Sequence, residues 1–252
     1  MSFLAALQFL TSIPLPDRRE VSPEALGHST AYFPIVGLII GGILAGLNWL
    51  LSLILPAAVV NALLITALVV ITGALHLDGF TDTCDGIAGH KSVEDRWQVM
   101  HDSRAGAFGI VGVVLLLLVK YVLLNNIPEV FMTATLLFMP IVSRWAMVYA
   151  VFVYPYARPS GLGTTFKQST RWPQFTAATA FTLLVAIALF PLFSLTGLML
   201  IFSVWIVTVI FSCYLKHKFA GLTGDTYGAI NEVAEVLALF LAGLIYARLA
   251  LL

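Results

Sequence analysis

The chain has 252 residues, of which 60% are hydrophobic and only 10% charged, and its 13 basic residues balance its 13 acidic ones. An ordinary soluble domain is about 45–50% apolar and about 25% charged, because much of a soluble surface needs polar cover. This composition excludes a typical soluble enzyme, a disordered chain and a basic nucleic-acid-binding protein. It predicts an integral membrane protein with several helical spans.

The N-terminal stretch Ser2–Ile13 is apolar but too short to cross a bilayer. It has neither the basic start nor the small-residue cleavage site of a signal peptide. We therefore expect a short interfacial helix that lies on the membrane surface ahead of the first span. If this stretch crossed instead, only the N-terminus would change side.

Seven later segments are apolar and approach the length of about 20 residues that crosses a hydrocarbon layer of about 30 Å. They are roughly Tyr32–Leu55, Ala57–Leu75, Phe108–Leu124, Val130–Tyr154, Phe175–Pro191, Leu195–Tyr214 and Tyr227–Ala250. Short junctions at Pro56, Asn125–Pro128 and Pro191–Ser194 predict helical hairpins. We predict a single all-α domain over residues 1–252, with about seven transmembrane helices preceded by the short interfacial helix.

The basic residues lie on one side of this predicted topology. We name side A the side that carries Arg18; with seven spans it also receives His76–Ala107, Pro155–Pro173 and Leu215–Thr226. Its Lys and Arg residues are Arg18, Arg19, Lys91, Arg96, Arg104, Arg158, Lys167, Arg171, Lys216 and Lys218. The turns on the opposite side hold none. By the positive-inside rule, side A and the N-terminus face the cytoplasm.

The first polar cluster on side A runs from His76 to Gly86. Asp78, Asp82 and Asp85 are spaced i, i+4, i+7, so a continuous helix confines their carboxylates to an arc of about 60°. Three such anions repel one another, and oxygen ligands at a membrane edge suit Mg²⁺, or Mn²⁺ as its substitute. The alternative is a solvated acidic loop. His76 beside the stripe is a candidate ligand, base or hydrogen-bonding partner, or only a packed residue.

The second cluster precedes the third span. Asp102 and Ser103 are suited to cap that helix, which is the structural interpretation. In the functional interpretation, Arg104 and the free backbone N–H groups at the start of that helix together bind a phosphate group. In that interpretation Asp102 is a further metal ligand or a base.

The third cluster enters the last span. Asp225, Gly228, Glu232 and Glu235 follow one helical stripe. Asp225 is also suited to be a helix cap. Glu232 and Glu235 lie inside the span, where an unpaired carboxylate is unfavourable, so they must meet a metal, a basic partner or a substrate hydroxyl.

Two basic residues, Lys120 and Arg144, fall inside the third and fourth spans. Three roles are open for each of them: contact with an anion in a cavity, an ion pair with an acidic side chain, or extension of the side chain to the membrane surface. Acidic helices at one membrane edge with Arg and Lys nearby predict metal-assisted transfer of a phosphate-containing group. A site at that edge implies an amphiphilic or membrane-held substrate.

At these residues the sequence resembles the adenosylcobinamide-GDP ribazoletransferases, the cobalamin (5′-phosphate) synthases of cobamide biosynthesis. The resemblance covers nearly the whole chain. It is carried by the blocks Leu7–Pro16, Phe33–Gly37, Gly73–Gly86, Met100–Gly106 and Gly221–Gly228. The Asp-rich block is the most specific of these. His101 departs from the Lys or Arg that is more usual at its position in the family.

The resemblance implies a Mg²⁺-dependent enzyme of the bacterial inner membrane, with its active site on the cytoplasmic side. It would join adenosylcobinamide-GDP to α-ribazole or its 5′-phosphate through the ribazole 3′-hydroxyl and release GMP. Carried over by the resemblance, the metal ligands are Asp78, Asp82 and Asp85. Catalytic roles fall to Asp82, Asp102, Asp225 and His76, and substrate or phosphate contacts to Ser103, Arg104, Asn231, Glu232 and Glu235. The expected partners are the two substrates and the lipid bilayer, without nucleic acid; a homo-oligomer is left open.

Two other functions remain as alternatives. Asp82–Gly86 matches the start of the Asp-rich pattern of CDP-alcohol phosphotransferases, but Ile87–His90 replaces the Ala-Arg pair expected next, and their second Asp pair is missing. A cation-coupled transporter would also place acids in a cavity. Transporters usually hold their site near the membrane midplane on broken helices, whereas the acids here gather at one face, which favours an enzyme.

Overall fold

The computed structural model describes residues 2–14, 22–89, 92–102, 104–158, 161–189 and 196–249, and these are helical apart from short connections. The α-helices are α1 (Ser2–Leu10), α2 (Pro23–His28), α3 (Phe33–Leu51), α4 (Ala57–Ile71), α5 (Leu75–Ile87), α6 (Val93–His101), α7 (Ala107–Asn125), α8 (Glu129–Val153), α9 (Leu162–Ser169), α10 (Trp172–Ala188), α11 (Thr196–Phe219) and α12 (Gly224–Leu249). Among the residues singled out above, Arg18, Arg19, His90, Lys91, Ser103 and the turn Pro191–Ser194 lie outside the described residues.

The predicted all-α membrane architecture is confirmed, although the count of seven spans is not. Within the described residues, five helical segments are long and apolar enough to cross a membrane, or six if the bent pair α4 and α5 forms one span. Each of the seven predicted segments coincides with a helix. The difference arises because α4 has 15 residues and α10 has 17, which is shorter than a typical span.

The second predicted span, Ala57–Leu75, breaks before its end. Gly73 and Ala74 both have positive φ values, of 59° and 58°, a left-handed conformation that interrupts a right-handed helix. The chain turns by 89° there, so that α5 runs nearly perpendicular to α4. The Asp-rich motif therefore does not continue the span; it occupies a separate helix that packs against α6, α7 and α12.

The N-terminal helix α1 packs on the bundle. Its nine residues span about 13 Å, which is too short to cross a membrane. Ala5, Ala6 and Leu10 are buried against the neighbouring helices. Beyond the helix, the Ser12 hydroxyl donates to the Val70 carbonyl at 2.6 Å and the Ser12 N–H to the Ile71 carbonyl at 2.7 Å. Ser12 thus ties the N-terminal segment to the last carbonyls of α4, where the helix ends.

The helix α8 forms the centre of the bundle, and most of its side chains are buried. The helix α3 lies directly against it because two glycines bring the backbones together. A Cβ atom at Gly37 would lie 2.4 Å from the Pro140 carbonyl oxygen, and one at Gly41 2.6 Å from the Leu136 carbonyl oxygen. Small residues permit such close helix approach in membranes, where packing supplies much of the association energy.

We predict that Gly41→Ala lowers the free energy of unfolding by about 1–3 kcal/mol, because the new methyl group meets backbone that cannot move aside. Gly42→Ala is the matched control, since a Cβ atom there meets nothing within 4 Å. The control is expected to be neutral or slightly stabilising, as alanine favours a helix by about 1 kcal/mol over glycine. Thermal unfolding in detergent followed by circular dichroism compares the two. Equal midpoints for both variants would contradict the close packing of α3 on α8.

Candidate active site

A cavity of about 170 Å³ opens where helices α1, α3, α5, α8, α9 and α12 meet on side A. Its lining divides into a polar part and an apolar part. The polar part contains His76, Asp78 and Asp225. The apolar part consists of Phe9, Phe33, Leu75, Met147, Val151, Leu162 and Phe166, together with the ring of Tyr227. Asp78 and Gly224 are solvent-exposed, so the acidic end communicates with solvent.

The acidic end exists because α5 and α12 cross in direct backbone contact. A Cβ atom at Gly79 would lie 2.7 Å from the Asp225 carbonyl oxygen, and one at Gly228 would lie 3.0 Å from the His76 carbonyl oxygen. Larger side chains at these two glycines would hold the helices apart. The crossing therefore brings Asp78 and Asp82 from the first predicted cluster together with Asp225 from the third.

These three carboxylates form the acidic group of the site. Asp82 is half-buried and is repelled by both Asp225 and Asp78. Within the described residues, no three His, Cys, Asp or Glu side chains are grouped closely enough to form a metal site by themselves. An ion such as Mg²⁺ retains water and recruits phosphate oxygens, so few protein ligands are required of the site. The carboxylates therefore fit a cation that substrate oxygens help to hold.

Arg158 supplies a positive charge to the acidic group. Its Nη2 atom donates to Asp225 Oδ2 at 3.2 Å, and its Nε atom is buried without a hydrogen-bond partner in the described structure. A short parallel bridge positions it: the Ala157 N–H donates to the Leu222 carbonyl at 2.8 Å, and the Leu222 N–H to the Pro155 carbonyl at 2.9 Å. In the sequence, Arg158 is recognisable only as one of the basic residues of side A. The repulsion within the Asp stripe indicated that a cation was needed, but not which residue would supply it.

Asp225 is free for the site because other residues cap its helix. The Thr226 N–H donates to the Thr223 hydroxyl at 3.2 Å, and the Thr223 N–H donates to the Thr226 hydroxyl at 2.7 Å. This reciprocal pair satisfies the start of α12. Asp225 is therefore not needed as a helix cap and lines the cavity, while its role in the reaction stays a prediction.

Asp85 departs from the other two acids of the stripe. It is buried, and its two oxygens accept hydrogen bonds from the backbone N–H groups of Gly106 and Gly109, each at 2.8 Å. Asp85 thereby ties α5 to the start of α7. Asp85 occupies two of the backbone N–H donors of the phosphate site predicted at this helix start, and phosphate binding there stays a prediction. The structure therefore separates Asp85 from the other two predicted metal ligands. Coordination of a metal ion by Asp78 and Asp82 stays a prediction.

Asp102 and Arg104 pair with each other away from the cavity lining. Arg104 Nη2 donates to Asp102 Oδ2 at 2.8 Å, and the Arg104 side chain is 87% exposed. Hydrogen bonds from the Arg104 side chain and backbone lower the pKa of Asp102 to about 2. Asp102 is therefore a carboxylate near neutral pH, and its role as a metal ligand or base stays a prediction. Phosphate contact by Arg104 stays a prediction, and Ser103 lies outside the described residues.

His76 forms the polar floor of the cavity. Its side chain is 1% exposed, and neither ring nitrogen has a hydrogen-bond partner among the described residues. Buried polar atoms are normally paired, so an orphaned imidazole that lines a cavity is available to a ligand. The structure thus places His76 in the cavity lining, and its role as a ligand, base or hydrogen-bonding partner stays a prediction.

A buried ion cluster lies deeper in the bundle, behind His76. Lys120 Nζ is 2.5 Å from both Glu232 Oε2 and Glu235 Oε2. Arg144, which is fully buried, pairs with Glu235 Oε1, and Asn231 Nδ2 donates to the same oxygen at 3.2 Å. Two cations thus balance two anions. Of the three partners left open for the intramembrane acids, a metal, a basic side chain or a substrate hydroxyl, the structure shows basic side chains. Substrate contact by Asn231, Glu232 and Glu235, which do not line the cavity, stays a prediction.

We predict that Lys120→Met lowers the free energy of unfolding by about 3–5 kcal/mol, because it leaves an unbalanced buried negative charge. The double variant Lys120→Met/Glu232→Gln restores neutrality and is expected to recover part of this loss. Thermal unfolding in nanodiscs measures both effects. A double variant less stable than the single one would contradict the charge-balance account, and a double variant of native stability without activity would favour a substrate contact by Glu232.

Comparison with known proteins covers almost the whole chain. A family model described as cobalamin-5-phosphate synthase matches residues 2–243. The chain is 39% identical over 234 residues to the adenosylcobinamide-GDP ribazoletransferase of Roseiflexus sp. (strain RS-1). The aligned region covers 93% of this chain and 86% of the Roseiflexus protein. This chain is also 39% identical over 237 residues to the enzyme of the same name from Geotalea daltonii, with 94% of each chain covered, and 36% identical over 267 residues to that of Fusobacterium nucleatum, with 95% of each covered. No solved structure matches the chain. On this evidence the chain belongs to the cobalamin-5-phosphate synthase family.

Proposed function

We propose that the chain transfers the adenosylcobinamide-phosphate group from adenosylcobinamide-GDP to α-ribazole or its 5′-phosphate, a late step of cobalamin biosynthesis. The ribazole 3′-hydroxyl attacks the phosphorus attached to the corrinoid arm and forms a new P–O bond. The bond from that phosphorus to the bridging oxygen breaks, GMP leaves with the oxygen, and the hydroxyl proton passes to the site or to water.

One observation carries this proposal: the relatives at 36–39% identity that bear the name of this activity match 93–95% of the chain. The cavity supports it independently. A buried imidazole and two carboxylates line one end, and Arg158 stands beside Asp225. Carboxylates, a basic side chain and an imidazole at a membrane edge suit phosphoryl transfer to a hydroxyl.

Asp78, Asp82 and Asp225 would hold Mg²⁺, for which Mn²⁺ is the substitute. The mutual repulsion of these carboxylates and the exposure of Asp78 to solvent support a cation there. When bound, the ion would offset the negative charge that develops on the phosphate oxygens. Arg158 offers its unpartnered Nε atom to a phosphate oxygen of the donor. His76 would hydrogen-bond the attacking hydroxyl and orient it.

We also propose that the protein lies in the bacterial inner membrane with this cavity on the cytoplasmic side. The concentration of Lys and Arg on side A supports that orientation. Each substrate carries phosphate or nucleoside groups, which a hydrocarbon layer excludes, so these groups must reach the site from the aqueous side. An opening toward the cytoplasm would give them access to the acidic end.

We predict that Asp82→Asn reduces turnover by at least about 10³-fold, because the amide cannot replace a charged metal ligand. The assay uses purified protein in nanodiscs with adenosylcobinamide-GDP and α-ribazole, with and without Mg²⁺, and measures GMP and cobalamin. Glu94→Gln, an exposed acid on α6, is the matched control and should retain full activity. Substantial turnover by a folded Asp82→Asn protein would overturn the metal site.

The same assay tests the proposed reaction itself. Mg²⁺-dependent GMP release with an equal amount of cobalamin supports it. Release of CMP from a CDP-alcohol without any GMP would instead show the activity of a CDP-alcohol phosphotransferase. Cation flux in proteoliposomes without either product would favour a transporter.

We predict that Arg158→Gln raises the KM for adenosylcobinamide-GDP by about 10-fold or more, because a charge-assisted contact to phosphate is lost. The KM for α-ribazole should change little. Arg171→Gln, an exposed arginine at the start of α10, is the control and should leave both constants unchanged. A rise confined to the α-ribazole KM would show that Arg158 faces the other substrate.

A further inference from the structure

Two of the sequence blocks that carry the family resemblance, Leu7–Pro16 and Phe33–Gly37, hold none of the acidic or basic residues of the proposed chemistry. Both nevertheless reach the cavity, because Phe9 and Phe33 line it. Phe166 from the short helix α9 is the third aromatic ring of this wall. The apolar half of the cavity is therefore assembled from three separate parts of the chain.

The three rings form one cluster. The ring centroids of Phe9 and Phe166 are 4.8 Å apart, those of Phe33 and Phe166 are 5.7 Å apart, and those of Phe9 and Phe33 are 6.0 Å apart. Phe33 and Phe166 are almost completely buried, so neighbouring side chains fix their positions. A rigid aromatic wall beside an open space is suited to stack on a flat ring.

The size of the cavity decides which substrate it accommodates. Pockets for drug-sized ligands measure about 300–1,000 Å³, so a cavity of about 170 Å³ is too small for a corrin macrocycle. An apolar cavity of about 150 Å³ is known to hold a benzene ring. The space therefore matches one flat aromatic system whose polar substituent extends toward the acidic end.

From this geometry we infer that Phe9, Phe33 and Phe166 form the subsite for the aromatic base of the acceptor nucleoside, and that the corrinoid of the donor stays outside this cavity. The inference rests on the proposed function and adds to it the substrate that the cavity selects. With the base on the aromatic wall, the ribose extends toward Asp78, Asp225 and His76 at the other end. The attacking hydroxyl then meets the acidic group where the donor phosphate arrives from solvent.

The N-terminal helix α1 gains a role from this assignment. It contributes Phe9 and is held in place by buried Ala5, Ala6 and Leu10. The hydrogen bonds of Ser12 to the end of α4 fix the segment that follows. The helix is thus a wall of the acceptor subsite as well as a surface element.

The test is substrate-specific kinetics in nanodiscs with Phe166→Ala and Phe9→Ala. Base stacking on an aromatic side chain is typically strong enough that its removal weakens binding about 10-fold. We expect the KM for α-ribazole to rise by about 10-fold, while the KM for adenosylcobinamide-GDP changes less than 2-fold. Phe202→Ala, at an exposed ring on α11 outside the cavity, is the matched control and should leave both constants unchanged.

A binding measurement separates the subsite from catalysis. The Kd of α-ribazole, followed by its own fluorescence without the donor, should rise about 10-fold in Phe166→Ala. Phe166→Leu removes the aromatic ring but keeps most of the side-chain volume, so it replaces the alanine variant if that variant does not fold. It should also weaken the binding of α-ribazole. Free benzimidazole should compete with α-ribazole more effectively than ribose 5-phosphate does.

The outcomes distinguish this inference from the proposed function. If the wild-type protein makes no GMP or cobalamin, the proposed function fails. If the wild type is active and the Phe9 and Phe166 variants bind α-ribazole as the wild type does, only the aromatic subsite is refuted. A rise in the KM for the donor alone would place the corrinoid at this wall and overturn the inference.

Discussion

The backbone contact between α5 and α12 is the constraint on which the rest of the site depends. Gly79 and Gly228 let the two helices cross without intervening side chains, and this crossing makes one acidic group from Asp78, Asp82 and Asp225. The break at Gly73 and Ala74 is its precondition, because it turns α5 away from the direction of α4. Without that turn, the Asp stripe would continue along the second span.

Charge balance then separates the polar side chains into two sets with different roles. The deep set, centred on Lys120 and Glu235, is internally neutral and needs no ligand, so its main effect is to hold α7, α8 and α12 together. The shallow set has three carboxylates and one nearby arginine, Arg158. Its excess negative charge is the physical reason to propose a metal ion there, and the bound ion together with Arg158 would offset the charge of a phosphate substrate. His76 lies between the two sets.

The cavity joins this charged end to an aromatic one, and the two ends address different parts of a substrate. Carboxylates and an imidazole handle a hydroxyl and a phosphate, whereas the rings of Phe9 and Phe166 suit a flat apolar group. A membrane helix bundle is a favourable support for such a site. Small residues at helix crossings, as at Gly37 and Gly41, give the tight packing that fixes side-chain positions.

The sequence by itself determined the membrane class, the approximate positions of the apolar helices and the family. Composition and span length are enough for the first two, since each depends on residues close together in the chain, and the resemblance of the sequence blocks carries the family. Only the tertiary structure decided that Asp85 anchors α7, that Arg158 pairs with Asp225 and that Glu232 and Glu235 meet Lys120 and Arg144. These contacts join residues from 21 to 115 positions apart, and the bend after α4 and the glycine crossings set them. Local spacing carries no information about which distant charges such packing brings together.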